Sequence, residues 1–109
     1  MAEDFARKHG VTVLLKGSAT VITDGEDTRI TDRGCPGMAS GGSGDVLSGI
    51  LAALCAWLPE DLLQATAAAA WINGRAGELA QEKSSDISMT AGDTARALPE
   101  VFRLLRGQE

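Results

Sequence analysis

Gly37-Met38-Ala39-Ser40-Gly41-Gly42-Ser43-Gly44-Asp45-Val46-Leu47-Ser48-Gly49 gathers five glycines around one carboxylate and then enters an apolar helical pattern. Val46, Leu47, Ile50, Leu51, Leu54 and Leu58 follow the spacing of one helix face. A side-chain-poor loop feeding a helix N-terminus offers amide donors and the positive end of the helix dipole, so the pattern predicts an anion site. Asp45 is out of place in a plain phosphate cradle, because it would repel the anion. It fits if the amides of Gly42, Ser43 and Gly44 hold a transferring phosphoryl group while Asp45 takes the proton of an acceptor hydroxyl. The simpler alternative is a flexible loop with Asp45 as a helix-start acid, contributing ~0.3–1 kcal/mol through the dipole. The run is not a P-loop, since no Lys-Ser/Thr follows its last glycine. Nor is it a dinucleotide fingerprint, since no acidic residue caps a following strand at the right distance.

Upstream, Ala2 to His9 reads as a helix stopped by Gly10. With little chain before it to pack on, this helix suggests that the sequence starts partway through a larger unit. Val11 to Leu15 is apolar without alternation, which predicts a strand buried on both faces and ended by Lys16-Gly17. Thr20 to Thr23 is a second strand, Asp24-Gly25 a turn, and Thr28 to Thr31 an alternating outer strand. Downstream, the helix from Asp45 runs to Leu58. Pro59 sits near the first turn of the next helix, which continues through the alanine run Ala65 to Ala70 to about Gln81. Thr90 is placed to cap a last helix, with Asp93 standing in for the usual Glu of a capping box, and Pro99 ends or kinks that helix before Arg106. The fold class is α/β: a small sheet or hairpin followed by three helices, either standing alone or forming the C-terminal part of a larger domain.

The chain has 109 residues, so residues 1–109 form a single domain at most. A net charge of −5 without any basic run argues against nucleic acid as a partner. The longest apolar stretch is broken by Ser48, Gly49 and Pro59 and is too short to span a bilayer. The acidic Met-Ala-Glu-Asp start has no signal core, so the expected location is cytoplasmic. Cys35 and Cys55 lack metal spacing and read as reduced thiols.

Gly42-Ser43-Gly44-Asp45 before an apolar helix resembles the anion-hole motif of the ribokinase-like superfamily. The longer run Pro36 to Gly49 is similar to one branch, the ADP-dependent (S)-NAD(P)H-hydrate dehydratases of nicotinamide nucleotide repair. Val13 to Ile22 resembles that family's strand and turn, and Met89-Thr90-Ala91-Gly92-Asp93 with Leu98-Pro99 resembles its closing segment. The resemblance runs from about residue 5 to about residue 106. It implies that Lys16, Gly17, Ser18, Ala19 and Thr20 contact the adenine nucleotide and that Gly44 lies against its phosphates. It also implies that Asp45 binds the hydrated cofactor and acts as base. ADP would be co-substrate, with Mg²⁺ screening its diphosphate. Cys35 stands where the family often has Asn, and Asn73 where many members have His; both are expected to tune nucleotide or helix packing. Family members carry a similar length of chain ahead of this point, with early strands and a substrate segment containing His-Pro.

Two other functions share these features. A small-metabolite kinase of ribokinase-like fold would use the same Gly42 to Asp45 but leaves the Pro36 to Ser40 context unexplained. A nucleotide-binding or interaction fragment without turnover would follow from a half-built substrate pocket. The isolated chain is expected to be inactive or weak and to form homo-oligomers through an exposed sheet edge and apolar faces. Among single residues, His9 reads as a surface side chain, and Trp57 and Trp71 as core or edge packing. The acids from Asp24 to Asp32 read as a solvated turn rather than a metal site, and Asp93 as a helix-start acid.

Overall fold

The computed structural model describes residues 1–17, 19–34, 38 and 42–107, with only the backbone of Ser43. In chain order the elements are α1 (Ala2–His9), β1 (Val13–Leu15), β2 (Thr20–Thr23), β3 (Thr28–Thr31), α2 (Ser43–Trp57), α3 (Leu62–Lys83) and α4 (Ala91–Leu105). The strands form an antiparallel meander in the order β1-β2-β3.

Local chemistry accounts for most boundaries. Gly10 adopts φ 64° after α1, a left-handed stop that costs glycine little. In the β2–β3 turn, Asp24 Oδ1 accepts from the amides of Glu26 and Asp27, each at 2.9 Å. These bonds, from Asp27 first and Glu26 second, hold the Asp24 carboxyl below its usual range. The Asp24 carboxylate therefore serves the turn itself, as the Asp24-Gly25 signal implies. α1 docks on this turn: Arg7 Nη2 donates to Gly25 O at 2.8 Å, and Thr28 Oγ1 donates to Glu3 Oε2 at 3.1 Å.

The core is built around α3. On one side Ala69, Ile72, Ala76, Leu79 and Ala80 pack with Ile50 of α2 and with Ala97 and Val101 of α4. On another, Leu63 and Ala70 meet Ile22 of β2. The small side chains of α3 let neighbours approach closely, so an alanine-rich helix can sit between a sheet and two other helices. Asp61 caps α3 by accepting from Gln64 N at 3.2 Å. Pro59 thus lies two residues before the cap rather than inside the first turn. Thr90 and Asp93 form the reciprocal capping box of α4. The Thr90 amide, then Arg96, holds the Asp93 carboxyl below its usual range, in keeping with a helix-start acid.

Three expectations need correction. β1 is not buried on both faces: it is an edge strand, and Leu15 is 48% exposed. Trp57 does not pack; it is 80% exposed at the last turn of α2, whereas Trp71 lies against the core. Pro99 does not end α4, which continues to Leu105. Pro99 is on the exposed side of that helix, where the carbonyl freed by its missing N–H can meet water.

Candidate functional site

A cleft of about 350 Å³ opens at one end of the sheet. Its construction follows from the meander. Because Thr20 pairs with Thr31, the β1–β2 turn and the end of β3 lie side by side. That brings Lys16, Gly17 and Thr20 next to Thr31, Asp32, Arg33 and Gly34. Leu47 of α2, Met38, and Ala70, Asn73 and Gly74 of α3 complete the lining. Of the nucleotide residues expected from the sequence, Lys16, Gly17 and Thr20 line this cavity; the half-buried Ala19 is in the same turn, and neither it nor Gly44 lines the cavity. Ser18 lies outside the described residues, as does the expectation for Cys35.

α2 reaches this cleft through Leu47, in its second turn. Gly42 is its N-cap, at φ 92°, and among the described residues no side chain caps the helix. Asp45 N and Val46 N both donate to Gly42 O, at 3.0 and 3.3 Å. α3 and α4 each spend a side chain on a first-turn amide, and among the described residues α2 does not. Gly44 is exposed, and nothing within 4 Å would meet a Cβ there. Asp45 does not line the cleft. It lies at the end of an apolar groove between α2 and α4, with Val46, Ile50, Leu98 and Phe102. The first residues of α2 thus contribute to two concavities, Leu47 to the one that carries Lys16 and Asp45 to the other.

The wall of the cleft is held by contacts that periodicity does not reveal. Glu78 on α3 accepts from Arg33 Nη1 at 2.7 Å, from Gly34 N at 2.9 Å and from Arg75 Nη1 at 3.2 Å. Partial burial pushes the Glu78 carboxyl up, but the Gly34 amide, Arg33 and Arg75 outweigh it and leave the group below its ordinary range. The Arg33 guanidinium also sits over Trp71, 5.7 Å from the ring centroid. Close approach to α3 needs glycine: a Cβ at Gly74 would lie 2.5 Å from Arg33 Cβ and 2.6 Å from its carbonyl oxygen.

Asn73 adds a polar side chain to this wall. It is 6% exposed, and its Oδ1 has no hydrogen-bond partner among the described residues. Sequence reading marked Asn73 only as a departure from the resembled family and passed over Glu78, Gly74 and Arg33. The available signal was the pair Asn73-Gly74, two poor helix formers inside an otherwise alanine-rich helix. Among the described residues no group of three or more His, Cys, Asp or Glu side chains could hold a metal ion. These residues therefore do not fit a protein-built Mg²⁺ cage, and no step below runs through the ion. No described helix is long and apolar enough to cross a membrane.

Comparison with known proteins places the chain. A family model described as NAD(P)H-hydrate dehydratase matches residues 1–100. The ADP-dependent (S)-NAD(P)H-hydrate dehydratase of Cenarchaeum symbiosum is 50% identical over 103 residues, which are 94% of this chain and 35% of that protein. The bifunctional NAD(P)H-hydrate repair enzyme Nnr of Hyperthermus butylicus is 46% identical over 101 residues, 93% of this chain and 18% of that protein. The Bacillus subtilis ADP/ATP-dependent NAD(P)H-hydrate dehydratase co-crystallised with ATP/Mg²⁺ superposes with TM-score 0.84 at 28% identity, over 94% of this chain and 37% of that one. The chain spans about a third of the single-function relatives, at 35% and 37% of their length, rather than the half expected from the sequence. By sequence and by fold, this chain belongs to the NAD(P)H-hydrate dehydratase family.

Proposed function

We propose that the chain provides the adenine-nucleotide side and the catalytic base of an ADP-dependent (S)-NAD(P)H-hydrate dehydratase. One observation carries the reading: the start of α2 is a boundary shared by two concavities, Leu47 lining one together with Lys16, Gly17 and Thr20, and Asp45 lining the other. A phosphoryl group passing from nucleotide to acceptor has to cross such a boundary. The ammonium of Lys16 and the turn Lys16 to Thr20 hold ADP, and the amides of Gly42, Ser43 and Gly44 hold the phosphoryl group in transit.

The chemistry balances on these residues. Hydroxide is a poor leaving group from the hydrated nicotinamide. The hydroxyl oxygen attacks the β-phosphorus of ADP, the bond from that phosphorus to the bridging oxygen breaks, and AMP leaves. Asp45 takes the hydroxyl proton as the new bond forms. Phosphate then departs with the C–O electron pair, and loss of a neighbouring C–H proton restores the dihydronicotinamide. The sum is NAD(P)H, AMP and phosphate from the hydrate and ADP.

The test is recovery of dihydronicotinamide absorbance together with AMP release, in the whole protein carrying this chain and in its Asp45→Asn variant. Removing a general base of this kind lowers the rate by about 10²–10⁴-fold. A variant that turns over at the parental rate removes Asp45 from the role.

A further inference from the structure

Asn73 is costly where it stands. Its carboxamide is a poor helix former in the middle of α3. Its Oδ1 is buried with no hydrogen-bond partner among the described residues, although most buried side-chain polar atoms have one. Nothing in the neighbouring run Ala69, Ala70, Ile72, Gly74 and Ala76 asks for a polar group. A residue that breaks two local rules without an internal gain is expected at a functional position, and this one lines the cleft that holds Lys16 and Thr20.

The kind of group that meets it can be read from the lining. A carboxamide is uncharged, so it is a weak match for phosphate. It offers an acceptor and a donor side by side, which suits the adjacent amine and ring nitrogen of an adenine edge. Ala70, Leu47 and Met38 supply apolar surface for a flat base. Lys16 lines the same cleft as a charge for the phosphates, while the Arg33 guanidinium is engaged by Glu78. We propose that Asn73 is a specificity-determining residue that reads the adenine edge of the nucleotide, with Oδ1 accepting from the exocyclic amine. This rests on the reading of the cleft as the nucleotide site.

Three ligands and one substitution test it, using the whole protein. The ligands are ADP, the diphosphate of purine riboside (which lacks the amine) and inorganic pyrophosphate (which lacks the base). In the native protein ADP should bind at least about tenfold tighter than purine riboside diphosphate. Asn73→Leu should weaken ADP about 10–100-fold and leave pyrophosphate affinity unchanged. The melting temperature of the free variant should match or exceed the parent's, because an unsatisfied polar atom is gone. Equal loss of ADP and pyrophosphate affinity, or unimpaired ADP binding, would overturn the inference alone. Native protein that binds neither ADP nor pyrophosphate would overturn the nucleotide reading beneath it. If the variant does not fold, the native ligand comparison still decides, since equal binding of the two diphosphates sinks the role.

Discussion

Gly74 on α3 lines the cleft and Gly44 lies in the first turn of α2, and their surroundings are opposite. At Gly74 a Cβ would strike Arg33, including its backbone carbonyl carbon at 2.7 Å; at Gly44 it would meet nothing within 4 Å among the described residues. One glycine exists for a neighbour already in place. The other leaves open space at an uncapped helix terminus, where a ligand is expected. Glycine-rich sequence draws the eye to the second kind, but the first kind builds the wall against which a ligand would rest. The contrast can be broken by experiment at each glycine.

The largest effect is expected at Gly74→Ala. Alanine is the better helix former by ~1 kcal/mol, so an unobstructed site would gain stability. Here the new methyl must displace the Arg33 backbone, and overpacking of that kind costs ~1–3 kcal/mol. The melting temperature should fall, and ADP affinity should fall with it because Arg33 and Gly34 line the cleft. A variant as stable as the parent would show that this wall has slack and would erase the distinction between the two glycines.

Glu78→Gln probes the same wall through charge. The Glu78 carboxyl lies below its ordinary value of 4.5 in the folded chain. A depressed carboxylate stabilises the fold above its unfolded pKa and loses that contribution as pH falls through the folded one. The parent should therefore lose stability progressively below about pH 4.5, and Glu78→Gln should show a shallower acid limb. Near neutral pH the variant should be about 1 kcal/mol less stable, since Gly34 N–H and two guanidinium groups lose their anionic acceptor. Parallel acid limbs in the two proteins would mean that other carboxylates govern acid unfolding.

These two residues also show where sequence reading runs out. The Gly10 stop, the Asp24 turn and the Thr90–Asp93 box could be read because each is local: the group that needs a partner and the group that supplies it lie within four residues. The cleft's turn, Lys16 to Thr20, is legible only through family resemblance, and its Lys16, Gly17 and Thr20 line one cavity. Glu78 and Gly34 are 44 residues apart, so no window of sequence contains both halves of that contact. Trp57 failed for a related reason. The apolar spacing of α2 says which residues share a stripe, but not how far along the helix the neighbouring elements extend to cover it.

The smallest effects belong to α2. Gly44→Ala and Gly49→Ala add a methyl into open space in a helix. Each should raise stability by up to about 0.5–1 kcal/mol through propensity alone. Stability thus puts the two on the same footing; ligand binding should separate them. Gly44 is in the first turn of α2, where phosphate is expected to approach the amides, so its alanine variant should weaken ADP and pyrophosphate together. Gly49 is more than a turn further along and faces the α2–α4 groove, so its variant should leave both affinities unchanged. The pair therefore distinguishes a glycine kept for backbone approach from one that is merely tolerated. If Gly44→Ala gains stability and keeps full affinity for both anions, the open space at the α2 terminus is not where phosphate sits. The anion site would then have to be sought nearer Lys16.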